Sequence, residues 1–194
     1  MIKKNNICVY CSSSNALDDI YYAEAKRLGQ LMSARDYGLV YGGGNVGLMG
    51  VLAKAVHEHD GYVYGVIPRA LKDREGVAYD IADELVVTTS LRERKALMFE
   101  KSEAFITLAG GIGTLEELME TLTLKQLGYH SAPMVIVNTE GFYNSLLALL
   151  DEFLEKRFVK STFPQLITVV DDVDAAMAFV AAELEAPAVS NHTP

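Results

Sequence analysis

The chain has 194 residues, of which 50% are hydrophobic and 22% are charged, as is usual for a globular domain with a substantial core. Its formal net charge of −9 argues against a general surface for nucleic acid or anionic membranes, so any phosphate site must be local. No apolar run approaches the roughly 20 residues of a membrane span, and the first residues lack a signal-peptide pattern, so we expect a cytoplasmic protein.

Short apolar runs alternate with amphipathic helical patterns along the chain. The predicted strands are Ile7–Cys11, Leu39–Tyr41, Tyr62–Ile67, Glu84–Val87, Ala104–Leu108, Met134–Val137 and Ile167–Val170. The predicted helices are Asp18–Ala34, Gly47–His59, Leu91–Lys101, Thr114–Leu127, Tyr143–Lys156 and Val173–Glu185. This alternation predicts an α/β fold with a doubly wound, Rossmann-like parallel sheet and helices on both faces. We expect a single nucleotide-binding domain over residues 1–185 and a frayed tail over residues 186–194.

Two cysteines have the spacing of a C-x-x-C motif. Cys8 and Cys11 lie on a predicted strand, however, where residues three apart point to opposite faces. No second cysteine pair completes a zinc site, and His57 and His59 diverge because they are two apart on a predicted helix. We therefore expect two cysteines in or near the core, no metal site and no cofactor.

Three loops with small residues follow predicted strands and should lie at one edge of the sheet. They are Cys11-Ser-Ser-Ser14, Gly42-Gly-Gly-Asn-Val-Gly47 and Gly110-Gly-Ile-Gly-Thr114. In such folds, ligands bind beyond the carboxyl ends of the strands, near a switch in strand order. Neither glycine loop is a Walker A sequence or a full dinucleotide fingerprint. The first two loops nominate Ser12, Gly43 and Gly44 as binding residues.

The third loop connects a predicted strand directly to a predicted helix. Backbone N–H groups at a helix N-terminus are a ready phosphate site, and glycine allows the anion to approach closely. Glu116 and Glu117 follow at once, which suggests chemistry on a nucleotide rather than simple binding. The spacing Thr114-x-x-Glu117 also fits a capping box, which is a purely structural role. Spacing alone leaves both interpretations open.

A basic run, Leu91-Arg92-Glu93-Arg94-Lys95, begins the helix before this strand. Cations at a helix N-terminus interact unfavourably with the helix dipole, so a functional role would explain why they are there. Taken alone, this run is more simply explained as a solvated charged face.

These elements together resemble the Lonely Guy (LOG) family, whose members are cytokinin riboside 5′-monophosphate phosphoribohydrolases and are often mislabelled as lysine decarboxylases. Leu108-Ala-Gly-Gly-Ile-Gly-Thr-Leu-Glu-Glu117 is similar to the family signature Pro-Gly-Gly-x-Gly-Thr-x-x-Glu. Arg94-Lys95-Ala96-x-Met98 resembles the family's Arg-Lys element, and Tyr41–Gly50 and Gly65–Pro68 resemble two further blocks. The resemblance extends from about Ile7 to Phe179 with its spacings intact.

The resemblance implies roles for individual residues. Arg94 and Glu117 match the catalytic pair, and Lys95, Thr123 and Glu75 match substrate-contacting positions. The expected substrate-binding residues of the loop and its helix are Gly110, Gly111, Ile112, Gly113, Thr114, Leu115 and Glu116. Two departures stand out, because Ala109 replaces the proline of the signature and Leu91-Arg92 replaces the usual Met-His.

The implied activity is that of a hydrolase which cleaves the N-glycosidic bond of a nucleoside 5′-monophosphate to free base and ribose 5-phosphate. The substrate would be a cytokinin riboside monophosphate, as in cytokinin biosynthesis, or AMP, as in an AMP nucleosidase. The resemblance also implies a homodimer with active sites near the subunit interface. The alternative is a non-catalytic protein that binds or carries a nucleotide or the molybdenum cofactor. Molybdenum-cofactor carriers have a similar fold and bind without hydrolysis, but the combination of Arg94 and Glu117 favours an enzyme. A pyridoxal-phosphate decarboxylase is set aside because no lysine has a recognisable Schiff-base context.

Overall fold

The computed structural model describes residues 5–73 and 78–186, which form a seven-stranded parallel sheet with helices on both faces. The strands are β1 (Asn6–Tyr10), β2 (Gly38–Tyr41), β3 (Val63–Pro68), β4 (Glu84–Thr88), β5 (Ala104–Thr107), β6 (Met134–Val137) and β7 (Thr168–Val170). The helices are α1 (Asp19–Ala34), α2 (Gly47–His57), α3 (Arg69–Lys72), α4 (Leu91–Glu100), α5 (Ile112–Gln126), α6 (Asn144–Glu155) and α7 (Val173–Glu185). The fold class predicted from the sequence is confirmed.

The strand order is β4-β3-β2-β1-β5-β6-β7, and each neighbouring pair is parallel. The chain builds one half outward from β1 to β4 and then returns to the other side of β1 with β5. Tyr10 is opposite Thr107 in this central pair. The direction of winding therefore reverses between β1 and β5, and the loops after these two strands flank the position where ligands bind in such sheets.

Two apolar clusters cover the two faces of the sheet. One contains Ile7 and Val9 of β1 together with side chains of α1, α2 and α7. The other contains Cys8 and Tyr10 of the same strand together with side chains of α4, α5 and α6. Successive residues of β1 are buried on opposite faces, so a two-residue period places the strand between two helical layers.

The cysteines follow this alternation. Cys8 belongs to one cluster and Cys11 to the other, and both are free thiols. Burial raises the pKa of each thiol above its usual range, so both are neutral near pH 7. The prediction of two core or near-site cysteines is confirmed.

The predicted strand bounds agree with the structure to within one residue, and the predicted helix bounds agree to within two. The sequence analysis missed α3, because a single helical turn after Pro68 is too short to show a helical period. Glu75 and residues 187–194 lie outside the described residues. In the part of the chain that the structure describes, no helix has the length and apolar character required to cross a membrane.

Candidate active site

A cleft of about 810 Å³ opens at the carboxyl edge of the sheet. Its walls come from the serine loop after β1, the glycine loop after β2, and the N-terminus of α5 after β5. Arg94 from α4 and Glu117 from α5 also line it. The cleft therefore lies where the reversal in strand order predicts a ligand.

The N-terminus of α5 is open toward this cleft. Gly111 is the residue before the helix, and its carbonyl accepts the hydrogen bond from Leu115 N at 3.0 Å. A Cβ placed on Gly111 or Gly113 would meet no atom within 4 Å, and Ile112 between them is 82% exposed. No side chain of the described residues caps this helix end, so the N–H groups of its first turn remain accessible to an anion.

The capping-box interpretation of Thr114 and Glu117 is wrong. The helix begins at Ile112 rather than Thr114, so Thr114 is its third residue and cannot be the N-cap. The Thr114 side chain instead packs on Gly110, where a Cβ would lie 2.2 Å from Thr114 Oγ1. Glu117 is in the second turn and bonds to a different helix. Its conformation is therefore not explained by helix capping.

A capping interaction of the kind considered for α5 is present in helix α4 instead. Ser90 Oγ accepts a hydrogen bond from Glu93 N at 3.2 Å, and Glu93 Oε2 accepts one from Thr89 N at 2.7 Å. These contacts satisfy donors at an end where Arg92, Arg94 and Lys95 oppose the dipole.

Arg94 and Glu117 form an ion pair on the floor of the cleft. Arg94 Nη1 lies 2.8 Å from Glu117 Oε1, and the two side chains are only 14% and 8% exposed. Arg94 Nε also donates to the carbonyl of Val66 on β3 at 3.1 Å. The guanidinium is therefore held between α5 and the sheet in a low-dielectric setting, where its charge acts strongly on neighbouring groups.

Burial raises the pKa of the Glu117 carboxyl above its usual range, and the Arg94 guanidinium opposes this shift. Nearby Glu116 adds to the rise, whereas Lys95 reduces it. A carboxyl with a raised pKa beside a fixed cation has the environment that enzymes use for acid–base and electrostatic roles.

Lys95 lies on the other side of Glu117. Its Nζ contacts the carboxylates of Glu116 and Glu120, and it lines a second cavity of about 220 Å³ to which Glu117 also contributes. Among the described residues, Lys95 thus links α4 to α5 and does not line the main cleft.

The predicted binding residues fall into two groups in this structure. Those that line the main cleft are Ser12, Gly44, Gly111, Ile112, Gly113, Thr114, Arg94 and Glu117. Those that do not line it are Gly43, Lys95, Gly110, Leu115, Glu116 and Thr123.

Thr123 is exposed, and its hydroxyl donates to Met119 O at 2.7 Å. Gly43 has a φ of +71° and accepts a hydrogen bond from Tyr79 N at 2.9 Å, which fixes the loop rather than opening it to a ligand.

One wall of the cleft is apolar and was not predicted from the sequence. Its side chains come from four different parts of the chain and are Val46, Met49, Ile67, Leu71 and Leu91. Gly42, directly after β2, was also not selected. The only local sign of these residues is their position at or beyond the carboxyl ends of strands, because apolar side chains there are indistinguishable from core by pattern.

The family of the chain follows from comparison with known proteins. A family model described as possible lysine decarboxylase matches residues 49–180. A cytokinin riboside 5′-monophosphate phosphoribohydrolase of Arabidopsis thaliana is 43% identical over 161 residues, which are 83% of this chain and 75% of the relative. A second such protein of the same plant is 42% identical over 165 residues, which are 85% of this chain and 76% of the relative.

The chain belongs to the Lonely Guy (LOG) family. The resemblance found in the sequence is therefore confirmed, and the LOG elements quoted above meet around the cleft described here.

Among solved structures, the molybdenum-cofactor carrier protein of Chlamydomonas reinhardtii has a similar fold. Its TM-score is 0.73 at 23% identity, over 95% of this chain and all of that one. At this identity the likeness concerns the fold alone, and the LOG membership depends on the sequence relatives.

The departure of this LOG chain from the signature at Ala109 leaves the loop intact. Ala109 is buried, and its carbonyl accepts a hydrogen bond from Ser12 N at 3.2 Å. The preceding Leu108 carbonyl accepts one from the Tyr143 hydroxyl at 2.8 Å. The hydrogen bond from Ser12 joins the serine loop to the start of the glycine loop across the central strand pair, and both acceptors are carbonyls that a proline at position 109 would also provide.

Proposed function

We propose that this protein hydrolyses the N-glycosidic bond of a nucleoside 5′-monophosphate, a cytokinin riboside monophosphate or AMP, to the free base and ribose 5-phosphate. The observation that carries the proposal is the buried ion pair of Arg94 and Glu117 in a cleft that also contains an open helix N-terminus. The LOG relatives that bear the name phosphoribohydrolase support the same reaction.

The 5′-phosphate binds at the N-terminus of α5, where Gly111 to Thr114 present free N–H groups. Glu117 lies six residues beyond Gly111, which is about 9 Å along the helix axis. A sugar anchored by its phosphate is thus placed beside the Glu117 carboxylate. Binding energy from the phosphate, far from the bond that breaks, orients the reacting carbon.

Cleavage moves the bonding electrons of the N-glycosidic bond onto the base, which takes up a proton, and leaves positive charge on the sugar. Water then adds to the anomeric carbon and gives up a proton, so that the products are the free base and ribose 5-phosphate. The Glu117 carboxylate stabilises this developing charge or orients the water. Arg94 stays protonated because its pKa is above about 12. It therefore acts through its charge, by holding Glu117 in place and by attracting the phosphate, ribose or departing base.

A panel of nucleoside 5′-monophosphates tests this proposal directly. The purified protein should release free base and ribose 5-phosphate from AMP or from a cytokinin riboside monophosphate, as measured by chromatography. The Arg94→Ala protein serves as the control and should release base much more slowly than the wild type, at a residual rate that remains measurable. Absence of base release from every nucleotide in the panel would contradict the proposal and favour a carrier.

The carrier alternative has one point in its favour, which is the fold it shares with the molybdenum-cofactor carrier. Binding alone, however, does not account for a carboxylate that is 8% exposed and held against an arginine in the cleft.

The decarboxylase named in the family description would need a lysine for a Schiff base. No lysine lines the main cleft within residues 5–73 and 78–186.

We also propose that the protein is a homodimer with active sites near the subunit interface, as the LOG resemblance implies. Large apolar side chains are exposed at both ends of α5, with Ile112 82% exposed beside the cleft and Leu127 65% exposed at the far end. These two exposed side chains are the candidate contacts with the second subunit. A monomeric mass by light scattering, in a preparation with full activity, would refute the dimer.

A further inference from the structure

Gly42 is the first residue after β2 and forms part of the cleft wall. Its φ is not in the left-handed region, unlike that of Gly43. A positive φ therefore does not explain the glycine at this position. The reason for a glycine here must be the space around it.

That space is filled by Arg94. A Cβ placed on Gly42 would lie 2.1 Å from Arg94 Nη2 and 3.2 Å from Arg94 Cζ. The sulfur of Met49 would be 3.3 Å away. The guanidinium thus lies directly against the Gly42 backbone, in the volume that any side chain would need.

From this geometry, we propose that Gly42 is a positioning residue for the candidate active site. Its missing side chain allows the Arg94 guanidinium to contact the Val66 carbonyl and the Glu117 carboxylate at the same time. The predicted effect of Gly42 on turnover rests on the proposed function, whereas its predicted effect on the Arg94–Glu117 ion pair does not.

The guanidinium has little freedom to avoid a new methyl group. Nε donates to Val66 O at 3.1 Å, Nη1 lies 2.8 Å from Glu117 Oε1, and Nη2 lies against Gly42. To relieve the clash, the guanidinium would have to move by about 1 Å, and a misplacement of this size can cost about a hundredfold in rate. Because the clash is with the far end of a flexible side chain, the protein should still fold, with Arg94 displaced from Glu117.

A double-mutant cycle tests the proposal with four proteins: wild type, Gly42→Ala, Arg94→Ala and the double variant. With AMP as substrate, Gly42→Ala should lower kcat by about tenfold or more when Arg94 is present. In the Arg94→Ala background, the same change should cost less than about twofold, because the clashing atoms are gone. An equal loss in both backgrounds would overturn the proposal and make Gly42 a general structural residue.

The pH profile gives a second readout that a general packing defect would not change. Arg94 lowers the pKa of Glu117, so moving the cation away should shift the acid limb of kcat to higher pH. Glu116 and Lys95 also influence the pKa of Glu117. Gly42→Ala leaves both of these side chains in place, so the shift would report on Arg94. An unchanged acid limb together with reduced turnover would contradict the proposal.

Thermal unfolding of the same four proteins separates this proposal from the proposed function. Gly42→Ala should lower the melting temperature by about 3 °C when Arg94 is present and should have no effect when Arg94 is alanine. If the wild type releases no base but this coupling is found, the proposed function fails and the positioning role stands. If the wild type is active and Gly42→Ala leaves both kcat and the melting temperature unchanged, the positioning role fails and the proposed function stands.

Discussion

Replacement of Glu117 by glutamine is the sharpest test of the proposed chemistry. The change keeps the size and shape of the side chain and removes its negative charge. The amide oxygen can still accept a hydrogen bond from Arg94, whose Nε keeps its bond to Val66 O at 3.1 Å. We therefore expect the Glu117→Gln protein to fold and to bind AMP.

The expected loss of turnover follows from the position of the charge. A positive charge about 4 Å from a carboxylate is stabilised by about 4 kcal/mol at an effective dielectric constant of 20. This energy corresponds to about a thousandfold in rate. Arg94, 2.8 Å from the same carboxylate, offsets part of the effect, so we expect kcat to fall by about a hundredfold or more.

The assay is steady-state release of base from AMP, with AMP affinity and the melting temperature measured on the same samples. Glu152→Gln is a matched control, because Glu152 is a half-exposed helical glutamate that pairs with Lys156 on α6. The control should retain the turnover of the wild type. Near-normal turnover of Glu117→Gln would refute the catalytic assignment of this carboxylate and would require another group in the cleft to stabilise the developing charge.

Three other predictions concern different parts of the molecule. If the N-terminus of α5 binds the 5′-phosphate, kcat/KM should be about a hundredfold or more higher for AMP than for adenosine, and similar values would rule out this anchor. Burial lowers the pKa of His130, so stability is lost as the pH falls below about 6.5, where the unfolded chain takes up the proton first. The fall in melting temperature between pH 7.5 and 5.5 should therefore be smaller in His130→Gln, and an identical fall would contradict this reasoning. Ser90→Ala removes the cap of α4 and should lower the unfolding free energy by about 1 kcal/mol, seen as a fall of about 3 °C in melting temperature.

The sheet and its helices could be predicted because their signals are local. A buried parallel strand is a short apolar run, an amphipathic helix has a 3.6-residue period, and β1 and α5 show these patterns plainly. Strand order was not predicted, yet the parallel arrangement alone places the serine loop and both glycine loops at one edge. This is why the position of the cleft followed from the sequence.

The contacts inside the cleft could not be predicted in the same way, since they join distant parts of the chain. The pairing of Arg94 with Glu117 came from the family resemblance and not from spacing. The role of Gly42 depends on a guanidinium that is 52 positions away in the sequence and reaches over the end of β2. Local pattern was misleading at Thr114, because a capping box and the first turn of a phosphate-binding helix use the same residue types.

The apolar wall limits how the cleft can select a base. Among the described residues, the side chains on this wall are aliphatic or thioether groups, and Leu91 stands where the LOG pattern has methionine. A wall without hydrogen-bonding groups distinguishes ligands by shape and apolar area, which is worth about 10- to 200-fold for each added or missing methylene group. Strict selection would instead require polar groups that are left unpaired by the wrong base. On the proposed function, phosphate binding at α5 would define the nucleotide class sharply, whereas contact of the base with this wall would rank the bases within that class less strictly.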